Sequence, residues 1–348
     1  MNYLKVKSTI CAILLLCGTA SQAQQKKNKN VIAPGAEWKD TNKNRINAHG
    51  GGMLYENGVY YWYGEHKIPG RSEADKAGGG AHCYSSTDLY NWKDEGVVLS
   101  VDYDNPDSEV AFGCILERPK VVYNESTRKY MMYFKLYPKG MGYKYGYLGV
   151  ATADSPTGPF TYSHKFLGAD SDEGSGDFAL VKDADGSLYH FTVRKPDKAF
   201  VVGKLNKEYT YPEGKYKVMT EIPAHTEAPA IFAKDGRYFM LGSGSTGWDP
   251  NTARAFVATS LLGPYKELGN PTKGVNPHNG MNEEKTFGGQ SSYIIKVEGK
   301  KDAFIAMFDV WAPEHPFDGR YVWLPIEVES DTLKINWRDE WDLSVFGK

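Results

Sequence analysis

Short apolar runs, each broken by a turn and resumed as a run rich in Tyr and Phe, recur along this chain. The first copy is Met53-Leu54-Tyr55-Glu56-Asn57-Gly58-Val59-Tyr60-Tyr61-Trp62-Tyr63, hinged on Asn57-Gly58. The second joins residues 121–123 to 129–134, and the third joins 178–181 to 188–191 across Asp185-Gly186. The fourth joins 230–232 to 238–241 across Asp235-Gly236, and the fifth joins 292–295 to 303–307 across Gly299. Asn-Gly and Asp-Gly between apolar runs are strong short-range signals for β-hairpins. A second phrase follows some of the hairpins: Val150-Ala151-Thr152 leading to Gly158-Pro159-Phe160 is mirrored by Val257-Ala258-Thr259 leading to Gly263-Pro264-Tyr265, and more loosely by residues 84–92. Each unit therefore predicts four strands, and five units at spacings of roughly 50–65 residues predict an all-β, five-bladed β-propeller with a central pocket. A sandwich would not repeat one phrase in register. Residues 31–348 are expected to form this single domain.

Composition supports the reading. Aromatic residues reach 14%, with 24 Tyr, 15 Phe and 8 Trp beside 37 Gly and 18 Pro, which suits strands and turns and excludes a helical bundle. Lys and Arg total 41 against 43 Asp and Glu, a net charge of −2, so a nucleic-acid groove is not expected.

The first 23 residues read as a signal peptide. Lys5 and Lys7 precede an apolar run from Ile10 to Cys17, and Ser21-Gln22-Ala23 offers a cleavage site before Gln24. That run is too short to span a bilayer. Leu16-Cys17-Gly18 fits a lipoprotein site poorly, so a lipid-anchored form is the less favoured alternative. The expectation is export to the periplasm or beyond, with residues 24–30 a disordered polar lead, no membrane span, and a monomer. Cleavage leaves Cys83 and Cys114, either paired in an oxidising compartment or buried as small side chains. Neither sits in a metal-ligand cluster.

In a propeller the inner strands converge on the axis, so the residues that open each hairpin line one pocket. Here those openings read Ala48-His49-Gly50-Gly51-Gly52, Leu116-Glu117-Arg118-Pro119-Lys120, Gly174-Ser175-Gly176-Asp177, Thr226-Glu227-Ala228-Pro229 and Phe287-Gly288-Gly289-Gln290-Ser291. One charged residue at a strand start is an ordinary solvated turn residue. Polar groups at the same place in all five units predict a pocket with several carboxylates ringed by aromatics, the chemistry of sugar binding and glycosidic cleavage. His-Gly-Gly-Gly also occurs as an esterase oxyanion loop, but residues 242–247 place Gly where a nucleophilic Ser would stand. His49 is expected on the pocket floor. Trp248 and Trp311, in loops just past inner hairpins, are candidates either to stack on a sugar or to staple loops.

These segments resemble glycoside hydrolase family 43, and most closely its exo-β-1,3-galactanase branch. The phrases that carry the likeness are residues 48–52 with Tyr60-Tyr61-Trp62-Tyr63-Gly64-Glu65, then 117–121, 226–232, and Arg320-Tyr321-Val322-Trp323-Leu324-Pro325. The resemblance implies a five-bladed propeller and an inverting glycosidase acting on an oligo- or polysaccharide. It implies Glu227 as general acid, with Asp177 tuning it and Glu117 and Arg118 gripping sugar hydroxyls. Glu117 is also carried as a catalytic candidate, and Glu65, Tyr147 and Ser245 as substrate-binding residues. Typical members place a base Asp on the first inner strand, and this chain has none there. The galactanase branch shares that absence, and Gln290 matches a Gln implicated in holding the attacking water. A neutral amide orients water but is a very weak proton acceptor. No cofactor is expected to be required; a structural calcium ion on the axis is left open. The alternatives are an α-L-arabinofuranosidase or β-xylosidase of the same family, or a sugar-binding propeller without hydrolysis.

Overall fold

The computed structural model describes residues 30–347. The expected signal peptide and nearly all of the polar lead lie outside the described residues. Among the described residues, no helix is long and apolar enough to cross a membrane.

Five antiparallel sheets follow one another along the chain, each a consecutive run of strands: residues 49–100, 115–167, 175–218, 226–269 and 290–336. The innermost strands are His49–Glu56, Ile115–Asn124, Ser175–Lys182, Thr226–Lys234 and Gln290–Lys296. They pack against one another around a common axis, so the fold is a five-bladed β-propeller. Blade 5 carries an extra outer strand, Thr272–Lys273, paired parallel to Thr332–Asn336. The hairpin turns form where the sequence places them. Asn57 and Gly58 both adopt positive φ (49° and 85°), as do Asp235 and Gly236 (50° and 71°), the backbone that a tight two-residue hairpin needs.

The aromatic residues fill the seams between blades. One buried cluster centres on Tyr63, Met132 and Phe134 between blades 1 and 2. Others gather Tyr133, Phe178 and Leu188 between blades 2 and 3, and Phe191, Met240 and Phe256 between blades 3 and 4. Phe239, Phe304 and Phe308 close the seam between blades 4 and 5. The seam between blades 5 and 1 is different in kind. Trp38, Trp62, Trp92, Trp323 and Trp341 pack together there, with Trp62 and Trp323 centroids 4.8 Å apart. Among the described residues, no blade borrows a strand from the far end of the chain. The ring is instead fastened by a bridge in which Ile32 and Trp341 exchange backbone hydrogen bonds of 2.7 and 3.0 Å. Cys83 and Cys114 are free and buried, so of the two alternatives the fold shows small buried thiols.

Candidate active site

Each inner strand opens with a bulge. Pairing with the next strand slips between His49 and Gly52, Glu117 and Lys120, Ser175 and Phe178, Glu227 and Ala230, and Ser291 and Tyr293. An extra residue bends a strand and re-aims its side chains. Here the bulges turn polar residues toward the axis. Arg118 and Ala228 hold positive φ (both 53°) within them, an uncommon conformation for residues with a Cβ.

The result is a cavity of about 500 Å³ at one end of the axis, walled by side chains from all five blades. Of the residues expected there, Glu65, Glu117, Arg118, Asp177, Glu227, Ser245, Trp248, Gln290 and Trp311 line it.

Ionic contacts organise its depth. Lys135 stands 2.9 Å from Asp177 and 3.1 Å from Glu117, and Arg118 Nη2 lies 3.0 Å from the other Asp177 oxygen. Burial pushes the Asp177 carboxyl up, but Arg118 and Lys135 outweigh it and hold the group down at about 2. Asp177 is therefore an anion near neutral pH. Tyr143 donates its hydroxyl to Glu117 at 3.0 Å. Glu227 goes the other way: burial, then repulsion from Asp177, raises its pKa, as a proton donor requires.

Gln290 ties these groups together. Its carbonyl oxygen accepts from Arg118 and, at 3.0 Å, from the Trp311 indole; its amide donates to Glu227 at 3.2 Å and to Ser243 at 3.0 Å. Guanidinium and indole can only donate, which fixes the orientation of the amide. Trp311 is thus anchored, and Trp248 meets it edge-on at 5.7 Å while remaining 37% exposed.

Two expectations are corrected. His49 does not reach the cavity: it is 1% exposed and stacks on Tyr321, ring centroids 5.0 Å apart. The bulge at Gly50 (φ +59°) turns the strand, and a Cβ at Gly50 would fall 2.5 Å from Glu65 Oε1 and 2.9 Å from Trp311. Glu65, reaching over from the second strand of blade 1, takes the floor position instead. Its carboxylate accepts from the Arg118 backbone N–H at 3.0 Å and pairs with Lys67 at 2.8 Å. Burial raises its pKa to about 7. Burial also lowers His49 to about 3, so its ring is neutral. Tyr147 is the second correction, since its ring lies under Lys165 at 5.1 Å, outside the cavity. It pairs with Leu167 toward the outer side of blade 2, and the exposed loop residue Tyr143 takes the wall position.

Sequence reasoning also missed Lys135, Lys195, Lys198 and His225, all on the wall. Lys135 had a usable signal, being the single charge within the apolar run Tyr130–Tyr137. The other three stand on turns, where a charged residue carries no signal. Among the described residues, no group of three or more His, Cys, Asp or Glu side chains is arranged to hold a metal ion.

A propeller whose axial pocket sets a half-desolvated carboxylic acid among further carboxylates and indoles has the parts of a glycoside hydrolase. The sequence matches glycosyl hydrolases family 43 over residues 52–320, and the chain belongs to that family. A family-43 β-1,3-galactosidase solved with galactodeoxynojirimycin is 37% identical, with 90% of this chain and 100% of that one covered and a TM-score of 0.82. A second family-43 β-1,3-galactosidase is 35% identical over 91% of this chain and 64% of its own, with a TM-score of 0.82. An exo-β-1,3-galactanase from Phanerochaete chrysosporium, solved with β-1,3-galactotriose, is 28% identical over 90% of this chain and 68% of its own, with a TM-score of 0.77. No curated protein sequence matches this chain.

Proposed function

We propose that this glycoside hydrolase removes galactose from the end of β-1,3-linked galactan with inversion at the anomeric carbon. The observation that carries the reading is the Glu227–Gln290 contact, a raised-pKa acid touching an amide where no base Asp exists. The β-1,3-galactosidase and galactanase neighbours support the choice of sugar. In the proposed reaction Glu227 gives its proton to the departing glycosidic oxygen, and water attacks the anomeric carbon from the opposite face, its proton passing on to solvent. Asp177, Glu117 and Glu65 hold hydroxyls through charge-assisted hydrogen bonds that strengthen as positive charge develops on the ring.

An inverting displacement sets the acid and the water-holding group about 6.5–9.5 Å apart, whereas Gln290 lies 3.2 Å from Glu227. The entering sugar must therefore part them, and orienting the attacking water falls to the Gln290 carbonyl oxygen, which must exchange one of its present donors for the water. Side chains and water supply the whole reaction in this proposal, with no cofactor. The proposal includes export on residues 1–23, action outside the cytoplasm, and a monomeric enzyme.

Chromatography of digests of β-1,3-galacto-oligosaccharides, arabinan and xylan oligomers tests the substrate. Galactose released only from the first is expected; release of arabinose or xylose instead would assign another specificity. Proton NMR of the earliest product should show α-galactose, and β-galactose would overturn the inverting mechanism.

A further inference from the structure

Gln290 has to hold its place while its partners change. Arg118, Trp311, Glu227 and Ser243 fix its amide, yet the entering sugar breaks the Glu227 contact and the attacking water displaces a donor from the carbonyl oxygen. Its position during turnover must then come from the backbone, and the backbone before it is unusual. Thr286 (φ 49°, ψ 44°), Phe287 (φ 61°, ψ 16°) and Gly288 (φ 88°) are left-handed in succession. A single such residue is uncommon, a β-branched one is an outlier, and consecutive ones are disfavoured at every step. Such a conformation persists only where its surroundings over-determine it.

Here they do. The side-chain amides of Asn276 and Asn279 both donate to the Phe287 carbonyl, each at 3.0 Å, and so occupy both lone pairs of one oxygen. The two Asn carbonyl oxygens are fixed in turn, accepting from the backbone N–H groups of His278 and Met281 at 3.0 and 2.9 Å. The Gly289 N–H returns to the Thr286 carbonyl at 2.9 Å, and Thr286 Oγ1 donates to the Asn251 carbonyl at 2.6 Å. Asn251 itself brackets Gly244, the neighbour of Ser243, with side-chain bonds of 2.7 and 2.9 Å. Phe287 is wholly buried in the seam between blades 4 and 5, where its ring meets Trp337 at 5.3 Å. A Cβ on Gly288 would fall 2.3 Å from the Asn279 amide nitrogen, so only glycine passes beneath the clamp.

We propose that Asn276 and Asn279 are positioning residues for the reaction. Their shared grip on the Phe287 carbonyl holds the left-handed turn, and the turn holds Gln290 in place when its side-chain partners exchange. The proposal rests on the reading of Gln290 as the group that orients water.

Asn276→Asp and Asn279→Asp test it. Each keeps the acceptor that caps His278 or Met281 and replaces the donated N–H by an oxygen that repels the Phe287 carbonyl. Asn279 is exposed, so its variant should fold even if the change at buried Asn276 is not tolerated. In Asn279→Asp, kcat should fall by about ten- to hundredfold, on oligosaccharides and aryl β-galactosides alike, while galactose affinity by calorimetry stays unchanged. A purely structural role would lower the unfolding midpoint and leave kcat of the folded enzyme intact. In a Gln290→Ala background the same Asp change should cost nothing further, because the clamp acts only through Gln290. A full additional loss there, or wild-type kcat in Asn279→Asp alone, would overturn the proposal. So would a crystal structure of Asn279→Asp with the turn and Gln290 in their wild-type places, a readout that needs no turnover. A clamp effect that depends on Gln290, in an enzyme where Gln290→Ala itself costs only about tenfold, would uphold the clamp and sink the water-orienting reading. Severe loss in Gln290→Ala with no effect of the Asp change would do the reverse.

Discussion

Glu227 and Gln290 share one hydrogen bond, yet the proposed mechanism asks different things of them, and substitution separates the two. Glu227→Gln removes the proton donor, so turnover of unactivated oligosaccharides should fall by about 10²–10⁴, measured as kcat/KM. Aryl galactosides with good leaving groups should lose far less. The acid must start protonated, so wild-type kcat/KM should fall as pH rises through the elevated pKa of Glu227. Gln290→Ala should cut both substrate types severely, because water attack is needed whatever the leaving group. A loss of only about tenfold, equal to one ordinary hydrogen bond, would reduce Gln290 to a substrate contact. Glu117, Arg118, Asp177, Glu227 and Gln290 were legible as strand openings in the sequence. The fate of His49 was not, because a one-residue bulge decides which neighbour faces the cavity and which faces the core.

At the level of elements, the hairpins were read from Asn-Gly and Asp-Gly turns because those turns demand positive φ from residues that tolerate it. The Thr272–Lys273 strand escaped notice. Two residues carry no alternation, and its partner lies some 60 positions on, at Thr332–Asn336. Tyr147 was misplaced for a related reason: Tyr143, Tyr145 and Tyr147 lie at a strand entrance where the pattern does not say which ring faces inward. The first inner strand offers the sharpest test of the bulge. Gly50→Ala puts a methyl group 2.5 Å from Glu65 Oε1 in a backbone of φ +59°. Glu65 must move or the bulge must relax, and Glu65 shares the floor with Arg118. Affinity for galactose should drop by an order of magnitude or more while the far-ultraviolet spectrum stays that of a β-protein. Unchanged galactose affinity by calorimetry would show that Glu65 does not hold the sugar.

Across the whole molecule, packing between blades does the work that a shared strand would otherwise do at the closure. Trp341 is 4% exposed, donates its indole N–H to the Trp323 carbonyl at 2.9 Å, and carries the backbone bridge to Ile32. Trp341→Ala should cost about 3–5 kcal/mol, read from urea unfolding, whereas loss of an exposed aromatic such as Tyr103 (59% exposed) should cost little.

The uninterrupted blades have a consequence for a chain as it is made. Nearly all strand pairing is between sequence neighbours, so each blade can form soon after its residues emerge from the ribosome. The pocket follows a different timetable. Glu65 is in place early, but Gln290 and Trp311 arrive last, and the floor and the acid's partner come from opposite ends of synthesis. On the proposed mechanism, a polypeptide terminated before blade 5 lacks Gln290 and Trp311 and should not hydrolyse galactan. Completion of the pocket waits for the last blade to dock against the first.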